Sequence, residues 1–143
     1  MRRIGLTPWT PKMIDRTLCL TGGALEATIH AVNHGGITGN MAGGTHHAHR
    51  DFGSGYCIFN DLAISAMYAI EKLGVKRVAI LDLDVHQGDG TATILSNEAR
   101  TRTISVHCST NFPLRKSISD FDLPVEPKAG DELFMKKVRE AVE

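Results

Sequence analysis

The sequence predicts an α/β fold, a parallel sheet with helices on both faces. Three observations carry that expectation. Val78-Ala79-Ile80-Leu81 is a short, uncharged apolar run, the pattern of a strand buried on both faces. Runs with apolar residues at helical spacing stand before and after it, and alternating strands and helices imply parallel pairing through right-handed crossovers. Finally, the polar clusters His46-His47, Asp82 to Asp89 and His107 each follow a strand candidate. Ligands of such sheets bind beyond the carboxyl ends of the strands, so three separate segments can meet on one edge.

Thr10-Pro11 opens the first helix, with Pro at the position where its missing N–H costs nothing. Ile14, Leu18, Leu25, Ile29 and Val32 continue it at helical spacing to a stop at Gly35-Gly36. Gly22-Gly23 inside this run costs about 1 kcal/mol per residue against Ala, which predicts close packing there. Ile37 to Met41 is a strand candidate, and it leads into the loop Ala42 to Arg50 with its three histidines. Asn60 is placed to cap a second helix with the face Leu62, Ala63, Ala66, Met67, Ile70 and Leu73, ending at Gly74. After the Val78 strand, Gly88 and Gly90 turn the backbone before a helix from Thr91. Thr103 to Val106 reads as the next strand. The connection with Pro113, Pro124 and Pro127 reads as irregular, and Asp131 caps a final helix with the face Phe134, Val138 and Val142.

The 143 residues fit a single domain, 1–143. Sixteen basic and sixteen acidic residues cancel, which removes the general electrostatic case for nucleic acid or an anionic membrane. No apolar run approaches the length of a spanning helix, and Met1-Arg2-Arg3-Ile4-Gly5 is not followed by a signal-peptide core. Cys19, Cys57 and Cys108 are odd in number and widely spaced, with no Cys-x-x-Cys pair. That argues against a disulfide framework or a structural zinc knuckle and sets the expectation of a reducing cytoplasm.

Asp82-x-Asp84-x-His86 closes the apolar run and delivers oxygen and imidazole ligands to one point, which suits a divalent metal. Asp89 could be a helix cap and nothing more. Asp82, Asp84 and His86 together are harder to dismiss, because charges at a buried strand end need partners. His46 and His47 form the second cluster. An imidazole that donates one ring N–H to a buried Asp is oriented and made more basic, leaving its other nitrogen for proton transfer. Asp82 and Asp89 are available for that role if Asp84 and His86 bind metal. His49 reads as an ordinary loop residue. Gly53-Ser54-Gly55-Tyr56-Cys57 lacks the order of a serine nucleophile elbow, and Cys57 reads as a small core thiol.

Gly43-Gly44-Thr45-His46-His47-Ala48, Gly55-Tyr56-Cys57-Ile58-Phe59-Asn60-Asp61 and Leu81 to Thr91 closely resemble the histone deacetylase family, which includes acetylpolyamine amidohydrolases. Asn111 to Lys116 and Gly130-Asp131-Glu132 resemble its prokaryotic, class-IV-like branch. The resemblance runs over nearly the whole chain and implies the arginase–deacetylase type of α/β fold. It implies a zinc-dependent deacetylase that hydrolyses an acetyl or related acyl amide of lysine or a polyamine. Residue by residue, Asp84 and His86 match two zinc ligands. His46 and His47 match the family's tandem histidines, with Asp82 expected behind His46 and Asp89 behind His47. Gly55 matches the residue whose carbonyl receives the substrate amide N–H, and Tyr56 an aromatic wall of the acyl-lysine channel. Asp82, Asp84, His86, Ser105 and Val106 match a structural potassium site, largely through main-chain carbonyls. The implied chemistry has zinc polarising the amide carbonyl and activating a water, while neutral His47 takes the proton and later passes it to the departing amine.

Thr45 and Tyr56 differ from the more frequent family residues, and neither change removes a catalytic group. A larger departure is that the family's third zinc ligand, a downstream Asp, and its oxyanion tyrosine lie beyond the match. The expectation is therefore a central piece of the domain, truncated at both ends and inactive alone. Its uncovered strand edges predict a homo-oligomer. One alternative is a non-catalytic remnant with a weak cation site. Another is a binuclear manganese site of the ureohydrolase kind, which also places Asp-x-His at strand ends.

Overall fold

A computed structural model describes residues 4–143; residues 1–3, part of the segment examined for a signal core, lie outside the described residues. The elements run α1 (Pro11–His34), α2 (Asp61–Lys72), β1 (Val78–Asp82), α3 (Asp89–Leu95), β2 (Thr101–Cys108), β3 (Phe121–Val125) and α4 (Asp131–Val142). The three strands form one parallel sheet in the order β1-β2-β3, as the alternation of elements predicts. The register sets Ile80 beside Thr103 and Asp82 beside Ser105. Among the described residues, no helix is long and apolar enough to cross a membrane.

The core lies between the sheet and the helices α2 and α3. Ala63, Ala66, Ile80 and Leu95 are its buried centre, with Leu62, Met67, Val78 and Ile94 packed around them. Small residues on α2 let that helix approach the sheet closely. Asn60 caps it as expected, its side chain accepting from the Ala63 N–H. α1 packs on α2, and α4 on β2 and β3.

Several expectations are corrected. β1 is not buried on both faces: it is an edge strand, and of its five residues Ile80 alone is buried, while Leu81 is 38% exposed. Residues 37–41 form no strand. The Thr38 hydroxyl donates to Ala27 O and the Asn40 amide to Leu20 O, so this segment spends its polar groups on α1 rather than on a ladder. Close packing holds at Gly23, where a Cβ would stand 3.3 Å from Asn40 Nδ2, but Gly22 faces open space. β3 occupies the connection read as irregular, and Pro124 sits in it because β3 is the other sheet edge, where a missing donor is tolerated. α3 starts at Asp89, two residues before the expected Thr91, and α4 has Gly130 at its cap position. Asp131 makes no cap bond; with Glu132 it puts negative charge in the first turn, where the helix dipole favours it.

Candidate active site

β1 ends at Asp82, and the chain turns through Asp84 and His86 before α3 begins. Two side-chain-to-backbone bonds shape the turn: the Asp84 N–H donates to Asp82 Oδ1 (3.0 Å) and the His86 N–H to Asp84 Oδ1 (2.8 Å). Asp84 Oδ1 then lies 2.9 Å from His86 Nδ1. That is a hydrogen bond; two donors on one tetrahedral zinc, each bonded at about 2.0–2.1 Å, stand about 3.3 Å apart, so the pair would have to open by a few tenths of an ångström to share an ion. Among the described residues, no group of three or more His, Cys, Asp or Glu side chains is arranged to hold a metal. A carboxylate and an imidazole are nonetheless residue types that bind zinc, and these two stand side by side.

The loop between α1 and α2 brings the histidines to this turn. Asp61, buried at the start of α2, accepts from the N–H groups of Gly44 (2.9 Å) and Thr45 (2.7 Å) and from the Thr45 hydroxyl (2.7 Å). Asn60 does more than cap: its Nδ2 donates to the carbonyls of His46 (3.2 Å) and Ala48 (3.1 Å). The Thr91 N–H donates to His46 O at 3.1 Å, and a Cβ on Gly90 would overlap the Ala48 carbonyl. The loop is therefore clamped between the starts of α2 and α3.

Both tandem histidines are buried, and each has the expected aspartate behind it. His46 Nδ1 lies 2.5 Å from Asp82 Oδ2, and His47 Nδ1 lies 2.7 Å from Asp89 Oδ1. A carboxylate only accepts, so both Nδ1 atoms carry the proton, and in a neutral ring Nε2 is left as the acceptor. His46 Nε2 stands 3.8 Å from Asp84 Oδ1, and the His47 ring centroid 5.6 Å from that of His86. Asp89 does not cap α3 by its side chain; it is committed to histidines.

Burial pushes His46 down, but the hydrogen bond to Asp82 and the charges of Asp82, Asp84 and Asp89 outweigh it and hold the imidazole above its usual range. Burial raises the Asp84 carboxyl, yet the His86 N–H and the nearby imidazoles bring it below the ordinary aspartate range. The same balance, with burial opposed by His47 and then His49, keeps Asp89 low. The site thus favours the ionised form of Asp84 and Asp89 and biases His46 toward the cation.

Gly55 and Tyr56 form the middle of a tight turn in which Ser54 and Cys57 exchange both backbone hydrogen bonds (3.1 and 2.8 Å). Both central residues have positive φ, 51° and 64°, the requirement of a type I′ hairpin turn. The turn lays Gly55 against the His47 ring and leaves Tyr56 70% exposed. Cys57 is buried as expected, and its thiol donates to Gly55 O at 3.3 Å. Ser105 and Val106 are buried in β2, with Ser105 beside Asp82 in the register. His107 is buried within β2, its Nδ1 3.0 Å from Ser105 Oγ.

The sequence reading missed three contributors. Asp61 is one: an acid directly after an N-cap and near a glycine-rich loop is placed to bind loop N–H groups. Phe112 stands edge-on to His47 (4.8 Å between centroids) and to His86 (6.1 Å), and its signal was an aromatic residue in the loop after β2. His49, by sequence an ordinary loop residue, contacts Asp89.

Comparison with known proteins agrees with this geometry. The histone deacetylase domain model matches residues 3–143. An uncharacterized protein of the cyanobacterium Picosynechococcus sp. is 45% identical over 134 residues, covering 94% of this chain and 44% of that protein. A probable deacetylase of Archaeoglobus fulgidus is 32% identical over 92% of this chain and 40% of its own length. The acetoin utilization protein AcuC of Bacillus subtilis is 30% identical over 94% of this chain and 38% of its own. The chain spans less than half the length of these relatives. With tandem histidines backed by Asp82 and Asp89 at the end of a parallel strand, and a domain match from residue 3 to residue 143, the chain belongs to the histone deacetylase family.

Proposed function

We propose that this chain carries the metal-facing part of a zinc-dependent deacetylase site, acting on an acetyl or related acyl amide of lysine or a polyamine. The observation that carries the reading is the juxtaposition of two His–Asp pairs with the converging donors Asp84 Oδ1 and His86 Nδ1. Zinc at that pair would supply Lewis acidity toward an amide carbonyl and a water. The chain's own residues divide the remaining work. His47 presents a free Nε2 and takes the proton of the attacking water, then returns it to the leaving amine. His46, biased toward the cation by Asp82, supplies positive charge beside the developing oxyanion. The Gly55 carbonyl orients the amide N–H, and Tyr56 with Phe112 walls the acyl chain.

A third zinc donor and an oxyanion hydroxyl are needed from outside the described residues, so the isolated chain is proposed to be inactive. A potassium ion near Asp82, Asp84, His86, Ser105 and Val106 would brace the strand ends behind the zinc pair. Balanced charge and three free cysteines support a cytoplasmic setting without direct nucleic acid or membrane contact.

A second reading, a non-catalytic remnant with a weak cation site, is supported by the finding that, among the described residues, no group of three or more His, Cys, Asp or Glu side chains is arranged to hold a metal. Titration calorimetry separates the readings. The deacetylase reading expects one zinc per chain, lost when Asp84 and His86 are both changed to Ala. A double variant that binds zinc as tightly as the parent would place the site elsewhere. Two manganese ions per chain would instead support the ureohydrolase-like alternative.

A further inference from the structure

Asp89 is held on both of its oxygens. Oδ1 accepts from His47 Nδ1–H at 2.7 Å, and Oδ2 accepts from His49 Nε2–H at 3.2 Å. His49 is itself fixed from three other directions. Its Nδ1 lies 2.8 Å from Thr93 Oγ1, and its ring stacks on Phe52 with centroids 4.3 Å apart and planes 21° apart. Its backbone N–H donates to Phe52 O at 2.9 Å. Thr93 closes the circuit: its hydroxyl oxygen also lies 2.6 Å from the main-chain carbonyl of Asp89, one turn earlier in α3, and its one proton can serve the His49 Nδ1 lone pair. The His49 side chain is only 15% exposed, which is not the state of a solvated loop histidine.

We propose that His49 is a positioning residue: it grips the second oxygen of Asp89 and thereby keeps His47 in the Nδ1–H tautomer. The physical reason is the softness of a carboxylate about its terminal torsion, which has broad rather than sharply staggered minima. Bonded through one oxygen alone, Asp89 can swing away from His47 Nδ1, and the ring can then exchange its proton between nitrogens. With Oδ2 anchored to His49, and His49 anchored to Thr93 and Phe52, that freedom is removed. His47 Nε2 stays an acceptor aimed away from Asp89. The contribution of His49 to the low proton affinity of Asp89 agrees with this. The functional value of the arrangement rests on the reading of His47 as the general base; the relay itself does not.

The test is nitrogen-15 imidazole spectroscopy on the 143-residue chain, with no metal or substrate added. The parent should show His47 as a single Nδ1–H tautomer. His49→Leu, which keeps bulk and removes the donor, should give mixed tautomers and His47 Nδ1–H exchange about five- to tenfold faster, the effect of losing support worth about one hydrogen bond. His49→Gln, which retains an N–H at similar reach, should restore the parent spectrum. An unchanged His47 signal in His49→Leu overturns the proposal, as does a Gln variant perturbed as much as Leu. If the Leu variant does not fold, the parent decides: the His49 Nε2–H must be protected from exchange and must lose that protection in Asp89→Asn, and its absence overturns the relay. Because these readouts need no turnover, they stand or fall separately from the deacetylase reading.

Discussion

A Cβ built on Gly55 would stand 2.7 Å from Cγ and 2.9 Å from Cβ of His47, so the turn at residues 54–57 and the proposed base are in direct contact. Gly55 also has a φ of +51°, where side chains other than glycine's are strained. Gly55→Ala is therefore expected to destabilise the fold by about 1–3 kcal/mol through overpacking and backbone strain. Calorimetric melting checks this, and a midpoint equal to the parent's would show that the turn is free to move off the ring.

The Asp89 carboxyl gives a pH dependence with a definite sign. Its folded-state pKa is depressed, because His47 and His49 outweigh the opposing effect of burial. The unfolded chain therefore takes up this proton first as pH falls. The stabilisation is complete above the ordinary aspartate value of about 4 and is lost as pH falls through the lower folded value. Asp89→Asn should cost about 1.5–3 kcal/mol at pH 7, the worth of a hydrogen bond to a charged group. The gap between parent and variant should close on acidification below about pH 4. Urea unfolding at pH 7 and pH 3 measures both points, and a gap that stays constant contradicts the assignment.

Association is the third expectation. β1 and β3 are both sheet edges, and Leu81, Leu83, Val85 and Phe121 are exposed around them. Unpaired edges beside apolar surface favour pairing between chains. Sedimentation at moderate concentration should show a dimer or a larger species, and a clean monomer with a cooperative thermal transition would refute this.

Much of this was legible in the residues because local chemistry and topology pointed the same way. The Val78–Leu81 run ending in Asp82-x-Asp84-x-His86 marked the strand and its site together, and the His46–Asp82 and His47–Asp89 pairs followed once that strand was placed. What stayed hidden depends on tertiary position. Whether β1 is central or at an edge is set by which strands flank it, not by its own four apolar residues. Pro124 disguised β3, since a proline excludes a central strand but not an edge. Thr38 and Asn40 suppress a strand by bonding to helical carbonyls some eleven and twenty residues away, which no local pattern encodes. His49 looked ordinary for the same reason, because Asp89 and Thr93 reach it from forty or more residues along the chain.

The most direct test of the account is hydrolysis of an acetyl-lysine reporter. The isolated chain with added zinc is expected to show no measurable turnover, since loss of one oxyanion donor alone costs about 100- to 1,000-fold. The chain completed with the segments of its Picosynechococcus relative that it does not itself span should turn the reporter over, and His47→Ala in that context should abolish the activity. Turnover by the completed chain that survives His47→Ala would contradict the assignment of His47 as the base.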